Sequence, residues 1–247
     1  MLVQGLALGS MVLPAASQVM AATSAIDSQD KLSRSPLMSN PHLSQPMVRY
    51  GASTKEASLA VILVHGRAQS PAWMENAVIK RFARPDMAWF APAAAGGTWY
   101  PARYLEPLEA NEPSLTHALQ RLETLSDQLV KEGFPYERQV LMGFSQGACL
   151  CSEFAWRSAN RYRALVVWTG ALIGPPGADR TPAAAGVKGL PVLLSTWEAD
   201  PYVPVDSVRE SARWFESAGA KVQLKVEAGT EHSIRDAEID HAQRLLG

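Results

Sequence analysis

One serine of this chain stands in a pattern that could support nucleophilic catalysis. Ser145 is the central residue of GFSQG at 143–147, which follows an apolar segment and precedes the helix-forming stretch ACLCSEFAWR. A serine on such a strand-to-helix turn has its hydroxyl held in the open, and glycines on either side let the backbone approach closely. The N-terminus of the following helix favours a developing anion. We therefore predict that Ser145 attacks an acyl group.

A serine nucleophile needs a neighbouring base. Of the five histidines, His42 falls in a predicted linker, His117 and His241 fall in predicted helices, and His65 follows a predicted strand. His232 lies in AGTEHSI, a loop between the last predicted strand and the last helix. Ser145 and His232 thus both follow a predicted strand, which would place them at the same edge of a parallel sheet. His232 is therefore the predicted base.

An acidic residue should orient the histidine. In folds that place the nucleophilic serine on a strand-to-helix turn, this acid comes between the serine and the histidine in the chain. Asp200 ends STWEAD, directly after a predicted strand and before a proline. Glu198 is its main rival. Asp206 falls inside the next predicted helix, and Asp179 falls in a loop rich in proline, glycine and alanine. We predict Asp200 as the orienting acid.

Acyl transfer passes through a tetrahedral oxyanion that backbone N–H groups can stabilise. The predicted donors are Gln146, which follows the nucleophile, and Arg67 in the loop of VILVHGRAQS. The Arg67 side chain could also meet a substrate carboxylate, although an exposed arginine is usually solvated. Trp73, Trp99 and Tyr100 lie on loops or helix starts, where they could form an apolar wall for the substrate or serve as core aromatics.

These residues must be positioned by alternating strands and helices. Short apolar runs predict strands buried on both faces, at Leu59–Val64, Met87–Ala91, Gln139–Met142, Ala164–Trp168, Pro191–Thr196 and Lys221–Glu227. Helix-period stripes run over 115–129, 205–215 and 234–246. The predicted fold class is α/β, of the α/β-hydrolase type, with a mostly parallel central sheet flanked by helices on both faces in a single domain. Ligands of such sheets bind at the carboxyl ends of the strands.

The charge and composition of the chain limit the kinds of partner that it could bind. The 247 residues carry a net charge of −1 without a run of lysine or arginine, which argues against nucleic acid as a partner and favours a small molecule. The acyl chemistry predicted for Ser145 makes an ester the expected substrate. The two cysteines, Cys149 and Cys151, are expected to be buried free thiols, and we predict no metal and no cofactor. A homodimer is left open.

The N-terminal segment has three interpretations. Residues 1–26 contain no charged side chain, which allows a disordered tail, a secretory signal peptide or, because polar residues interrupt the run, less readily a membrane anchor. Residues 27–46 predict a linker, and residues 47–247 the catalytic domain. We expect no stable membrane span and a cytoplasmic location, or a secreted or periplasmic one if residues 1–22 are a signal peptide.

The combined motifs resemble a known family. LVHGRAQS, GGTWYP, GFSQGA, EADPYVPVDS and GTEHSI occur in the order and spacing of the phospholipase/carboxylesterase family, which includes acyl-protein thioesterases. The resemblance implies a catalytic triad of Ser145, Asp200 and His232 and an oxyanion hole from the N–H groups of Arg67 and Gln146. The thioesterase branch commonly has H-G-L-G-D where this chain has HGRAQ, and W-F-D where it has TWYP. These departures favour an esterase of small or medium esters.

Several functions compete on this basis. The leading hypothesis is a carboxylic ester hydrolase that forms a covalent acyl-enzyme. Acyl-protein thioesterase and lysophospholipase are alternatives, as are lactone, thioester or peptide hydrolysis on the same fold. Dienelactone hydrolase relatives place a cysteine where this chain has Ser145. A catalytically silent binding protein of the same fold would lack a triad residue, and this chain has all three.

Overall fold

The computed structural model describes residues 39–247, and its centre is a seven-stranded sheet. The strands are β1 (Met47–Gly51), β2 (Leu59–Val64), β3 (Met87–Pro92), β4 (Gln139–Phe144), β5 (Ala164–Trp168), β6 (Pro191–Trp197) and β7 (Lys221–Glu227). They lie in the order β1-β3-β2-β4-β5-β6-β7, and only β1 pairs antiparallel within this sheet. All six predicted strands are present.

Five α-helices cover the sheet within the described residues. They are α1 (Pro71–Ala77), α2 (Ser114–Lys131), α3 (Gln146–Arg157), α4 (Val205–Ser217) and α5 (Asp236–Leu246). The predicted apolar stripes therefore correspond to α2, α4 and α5. Within the same residues, no helix combines the length and the apolar character needed to cross a bilayer.

The core is divided by the sheet into two apolar clusters. Helices α2, α3 and α4 pack on one face, where they contact alternate strand residues such as Ile62 and Val167. Helices α1 and α5 pack on the other face, against residues such as Leu63 and Val166. Neighbouring side chains of a strand point to opposite faces, and both faces are covered, so every position of β2, β4 and β5 is buried; all of these residues are apolar except Gln139 and Gly143. This arrangement fixes the carboxyl ends of the parallel strands along one edge.

The compact unit that contains the sheet begins at Asn40, so residues 40–46, which the sequence assigned to a linker, belong to it. His42 is 2% exposed, and the carbonyl of Pro46 accepts a hydrogen bond from Ala93 N–H. The expected tail or signal peptide within residues 1–26, and residues 27–38 of the predicted linker, lie outside the described residues. The antiparallel strand β1 is absent from the predicted strands because its alternately half-buried and exposed residues lack a continuous apolar run.

Candidate active site

Ser145 occupies a strained turn between β4 and α3. Its backbone has φ 52° and ψ −121°, a left-handed conformation that costs energy in a residue with a side chain. Its N–H donates to the carbonyl of Trp168 at 3.0 Å, which ties the turn to the end of β5. A Cβ on Gly147 would overlap the carbonyl oxygens of Val64 and His65. The glycine is therefore required for α3 to start this close to β2.

The predicted base and acid lie beside Ser145 in a continuous hydrogen-bonded chain. His232 Nε2 is 2.8 Å from Ser145 Oγ, and His232 Nδ1 is 2.7 Å from Asp200 Oδ2. Because a carboxylate only accepts, Nδ1 carries the hydrogen and Nε2 is left free to accept the serine proton. Asp200 Oδ1 accepts the N–H groups of Tyr202 and Val203 at 2.8 and 2.9 Å. The acid is thus fixed by its own loop before it contacts the histidine.

The rival acids are directed elsewhere. Glu198 and Asp179 are exposed, and Asp206 pairs with Arg209 on α4 at 3.0 Å. Asp200, in contrast, is 7% exposed and contacts the ring of His232. The structure thus brings together the three residues that the sequence singled out for nucleophilic chemistry.

The histidines outside this chain of hydrogen bonds have other contacts. His117 lies on α2, and His241 lies on α5, where its Nδ1 donates to the Ala237 carbonyl one turn earlier. His42 and His65 are both buried against Trp99.

Two backbone N–H groups were predicted to stabilise an oxyanion, those of Arg67 and Gln146. Both residues line the cavity next to Ser145. Within residues 39–247, neither N–H donates to a protein acceptor. Gln146 is also the first residue of α3, so its N–H belongs to the positive end of the helix dipole. Both groups are therefore available to a ligand.

The Arg67 side chain binds the protein itself. Its guanidinium donates to three carbonyl oxygens, those of Tyr100 at 3.1 Å, Pro101 at 2.9 Å and Ala102 at 2.7 Å. The expectation that this side chain meets a substrate carboxylate is corrected by these contacts, because most of its donors are occupied. Arg67 instead fixes a segment that we call the Trp99 loop (residues 94–102).

Gln146 holds the same loop with its side chain. Its Oε1 accepts the N–H of Trp99 at 3.0 Å, and its Nε2 donates to the carbonyl of Tyr100 at 2.7 Å. The hydroxyl of Thr98 lies 3.2 Å from both side-chain atoms. In addition, Ala68 N–H donates to the Gly97 carbonyl at 2.8 Å. The Trp99 loop is therefore joined to both segments that carry the predicted oxyanion donors.

Two buried neutral imidazoles complete the support of this loop. His42 accepts Ala95 N–H on Nδ1 at 3.0 Å, and its Nε2 donates to the Trp99 carbonyl at 3.1 Å. His65 accepts Ala94 N–H on Nε2 at 3.1 Å. Each ring must stay unprotonated at the nitrogen that accepts, and burial lowers the pKa of both histidines below the usual 6.5. Sequence reasoning missed these roles, because His42 is 57 residues from Trp99 and no local pattern links them.

A cavity of about 390 Å³ opens beside Ser145, and we call it the Ser145 cavity. Tyr100 lines it as predicted, whereas Trp73 and Trp99 do not. Trp99 is completely buried and donates its indole N–H to the His65 carbonyl at 2.8 Å. Trp73 stacks on Phe144, the residue before the nucleophile, with ring centroids 5.0 Å apart. Both tryptophans therefore support the site without forming its wall.

The lining of the Ser145 cavity also includes residues that the sequence did not assign to the site. These are Tyr104, Cys149, Tyr202 and Val203. The Tyr104 hydroxyl is 2.6 Å from Ser207 Oγ, which fixes this ring. Cys149 is buried, and burial raises the pKa of its thiol to about 12, so it is a weak nucleophile. Cys149 and Cys151 are both free, as expected. No cluster of metal-ligating side chains occurs within residues 39–247.

This arrangement defines a class of protein. A mostly parallel sheet with helices on both faces, and a serine on a strained turn after β4 within reach of a histidine that follows β7, are the features of an α/β-hydrolase. Comparison with known sequences identifies the family within this class. The profile of the phospholipase/carboxylesterase family matches residues 47–246, so the chain belongs to that family. The predicted fold and family are both confirmed.

Individual relatives agree with this assignment. Acyl-protein thioesterase 1 of Eremothecium gossypii is 29% identical over 163 residues, which are 64% of this chain and 66% of that protein. The match thus spans just under two thirds of that relative. The crystal structure of a phospholipase/carboxylesterase from Dyadobacter fermentans is 33% identical, covers 83% of this chain and 97% of its own, and has a TM-score of 0.75. The crystal structure of esterase PE8 is 25% identical over the same shares, with a TM-score of 0.68.

Proposed function

We propose that this protein is a serine carboxylesterase that hydrolyses small to medium acyl esters through a covalent acyl-enzyme. The single observation that carries the proposal is the chain of hydrogen bonds from Ser145 Oγ through His232 to Asp200, at 2.8 and 2.7 Å. The family assignment supports the same reaction class.

Acylation begins when Ser145 Oγ attacks the ester carbonyl. The serine proton passes to His232 Nε2, and Asp200 stabilises the imidazolium that forms. The carbonyl oxygen becomes an oxyanion, which accepts hydrogen bonds from the N–H groups of Arg67 and Gln146. Collapse of this intermediate breaks the bond to the alcohol oxygen. That oxygen takes the proton back from Nε2, and the alcohol leaves.

Deacylation repeats the same steps with water. His232 Nε2 takes a proton from a water molecule as its oxygen attacks the acyl-enzyme carbonyl. The same two N–H groups hold the second oxyanion. When the intermediate collapses, Ser145 Oγ leaves, takes the proton from Nε2, and the carboxylic acid is released. No metal or cofactor takes part in these steps.

The size and lining of the Ser145 cavity support a preference for small to medium esters. Its volume of about 390 Å³ suits a compact ligand, and three tyrosines and two arginines line it. A long alkyl chain would have to lie along these polar groups or extend into water. Acyl-protein thioesterase activity is the second candidate, because a curated relative carries that name. Lysophospholipase activity is a further variant of the same chemistry.

A series of p-nitrophenyl esters with two to sixteen acyl carbons tests the preference. We expect kcat/KM to reach its maximum at short to medium chains and to fall for the longest ones. A maximum at palmitate, together with hydrolysis of a palmitoyl thioester, would favour the thioesterase alternative.

The nucleophile is tested by Ser145→Ala. We expect turnover to fall by several orders of magnitude, about 10³-fold or more, and labelling by a fluorophosphonate to disappear, while the circular dichroism spectrum stays unchanged. Ser233→Ala is the matched control, because this exposed serine adjoins His232 and its hydroxyl makes no hydrogen bond within residues 39–247. A wild-type protein that neither hydrolyses esters nor reacts with the fluorophosphonate would be a silent binding protein.

A further inference from the structure

The charged side chains that line the Ser145 cavity are unbalanced. Arg67 and Arg103 both line it, and among residues 39–247 no aspartate or glutamate does so. The acid of the triad, Asp200, has a fully buried carboxylate that contacts Nδ1 of His232 and does not line the cavity. The protein as a whole has a net charge of −1, so the positive character is a local property of this cavity.

Arg103 has little to bind within the protein. Its guanidinium reaches the Tyr202 carbonyl at 3.4 Å, and within residues 39–247 no carboxylate lies within 4 Å of it. Seven other arginines of the same region form ion pairs with an aspartate or glutamate. Arg103 therefore has free donors at the opening of the cavity.

The segment that carries Arg103 is fixed on both sides. Asn111 is completely buried, accepts Ala102 N–H at 2.8 Å and donates to the Arg103 carbonyl at 3.2 Å. The next residue, Tyr104, is held by its hydroxyl contact with Ser207. The backbone of Arg103 is therefore held in place, and its exposed side chain starts from a fixed position beside the cavity.

Arg67 adds to the positive charge without neutralisation. Its three partners are carbonyl oxygens, which are dipoles and leave its net charge in place. A ligand in the Ser145 cavity thus lies in the electric field of a fixed cation at Arg67, and the free donors available to it belong to Arg103. A guanidinium with free donors matches the two oxygens of a carboxylate in a paired, planar geometry.

We propose that the ester substrate of this protein bears a free carboxylate, which Arg103 binds while Ser145 attacks the ester group. The inference rests on the proposed esterase function and narrows its substrate class. Arg103 is then a specificity-determining residue that takes no part in the bond-making steps.

Two pairs of esters test this inference, and the members of each pair differ by methylation of one carboxylate, which removes its charge. Monomethyl adipate is compared with dimethyl adipate, which places the carboxylate on the acyl side. 4-Acetoxybenzoate is compared with its methyl ester, which places the carboxylate on the alcohol side. In at least one pair, we expect kcat/KM of the wild-type protein to be higher for the anionic ester, and its advantage to shrink as salt rises.

The substitution Arg103→Gln removes the charge and keeps a polar side chain. We expect it to lower the ratio of kcat/KM for the anionic ester to that for the neutral ester by about fivefold, the effect of one partly exposed ion pair, mostly through KM. Arg213→Gln is the matched control, because Arg213 is an exposed arginine of α4 with no carboxylate partner within residues 39–247, and it does not line the cavity. It should leave both ratios unchanged.

A binding measurement separates this inference from the esterase proposal. In the Ser145→Ala background, titration by nuclear magnetic resonance gives the dissociation constants of both esters of a pair, with and without Arg103→Gln. Tighter binding of the anionic ester that depends on Arg103, without hydrolysis by the wild-type protein, would contradict the esterase proposal and support the carboxylate site. Hydrolysis of both esters with ratios that Arg103→Gln does not change would overturn the carboxylate site and leave the esterase proposal intact.

Discussion

Replacement of Gln146 by alanine tests whether the Trp99 loop positions the oxyanion donors. Gln146→Ala removes the bonds to Trp99 N–H, Tyr100 O and the Thr98 hydroxyl. The Tyr100 carbonyl keeps donors from Arg67 at 3.1 Å and from Thr98 at 3.0 Å, so it stays satisfied. The buried Trp99 N–H has no other acceptor within residues 39–247. Leaving one such donor unpaired costs about 1–3 kcal/mol, and this contribution dominates the loss of stability.

The substitution should also reduce catalysis, although the Gln146 N–H itself is retained. The Trp99 loop contacts Arg67 and Ala68, so a shift of the loop displaces the Arg67 N–H. A displacement of about 1 Å at a reacting centre costs roughly 100-fold in rate, so we expect kcat to fall between about 10- and 100-fold with a smaller change in KM.

The assays are urea unfolding followed by tryptophan fluorescence, and steady-state kinetics on p-nitrophenyl butyrate. Thr98→Val is the control, since it removes a hydroxyl from the same network but leaves Trp99 N–H paired with Gln146. It should cost less than about 1 kcal/mol. Equal losses of stability for the two variants, or a loss below about 0.5 kcal/mol for Gln146→Ala, would refute the assignment of the cost to the Trp99 N–H.

Three further predictions concern the triad, the pH dependence and the nucleophile turn. Asp200→Asn should lower kcat by about 10⁴-fold in ester hydrolysis, because an amide N–H facing the ring favours the tautomer of His232 that cannot accept the serine proton; unchanged kcat would contradict this. Because burial lowers the pKa of His42 and His65 in the folded protein, the unfolded state binds more protons, and the free energy of unfolding should fall as the pH drops through 6.5. Urea unfolding between about pH 7.5 and about pH 5.5 measures this fall, which His42→Gln should reduce and a flat profile would disprove. Gly147→Ala should abolish the folded, active protein or strongly destabilise it, as thermal unfolding would show, because a Cβ there overlaps main-chain carbonyls at the end of β2; a melting temperature like that of the wild type would count against the overlap.

The sheet could be predicted from sequence because its central strands are short runs of apolar residues that are buried on both faces. The edge strand β1 could not, since MVRYG contains an arginine and a glycine and is only half-buried. Helices α2 and α4 were predicted from apolar stripes that match their buried residues.

The candidate site likewise contains residues that could be predicted from sequence and residues that could not. Ser145, Asp200 and His232 each follow a predicted strand, so the carboxyl edge of a parallel sheet brings them together. Sequence order alone left Glu198 as a rival acid, and the structure separates the two, since Glu198 is exposed and Asp200 contacts His232. The residues that support the Trp99 loop come from distant parts of the chain and interact through single hydrogen bonds. The sequence left open whether Trp99 forms a wall of the substrate site or belongs to the core, because its position depends on two histidines whose proximity is a tertiary effect.

The burial of His42 shows that the start of the family match and the start of the compact unit differ. The family profile begins at residue 47, whereas the contacts that hold the Trp99 loop extend back to Asn40, whose side chain accepts the N–H of His42 at 2.9 Å and donates to the carbonyl of His117 at 2.8 Å. A protein trimmed to the family boundary would keep the whole triad and lose one of the two imidazoles that support the loop. A recombinant form that is to retain these contacts should therefore begin no later than residue 40.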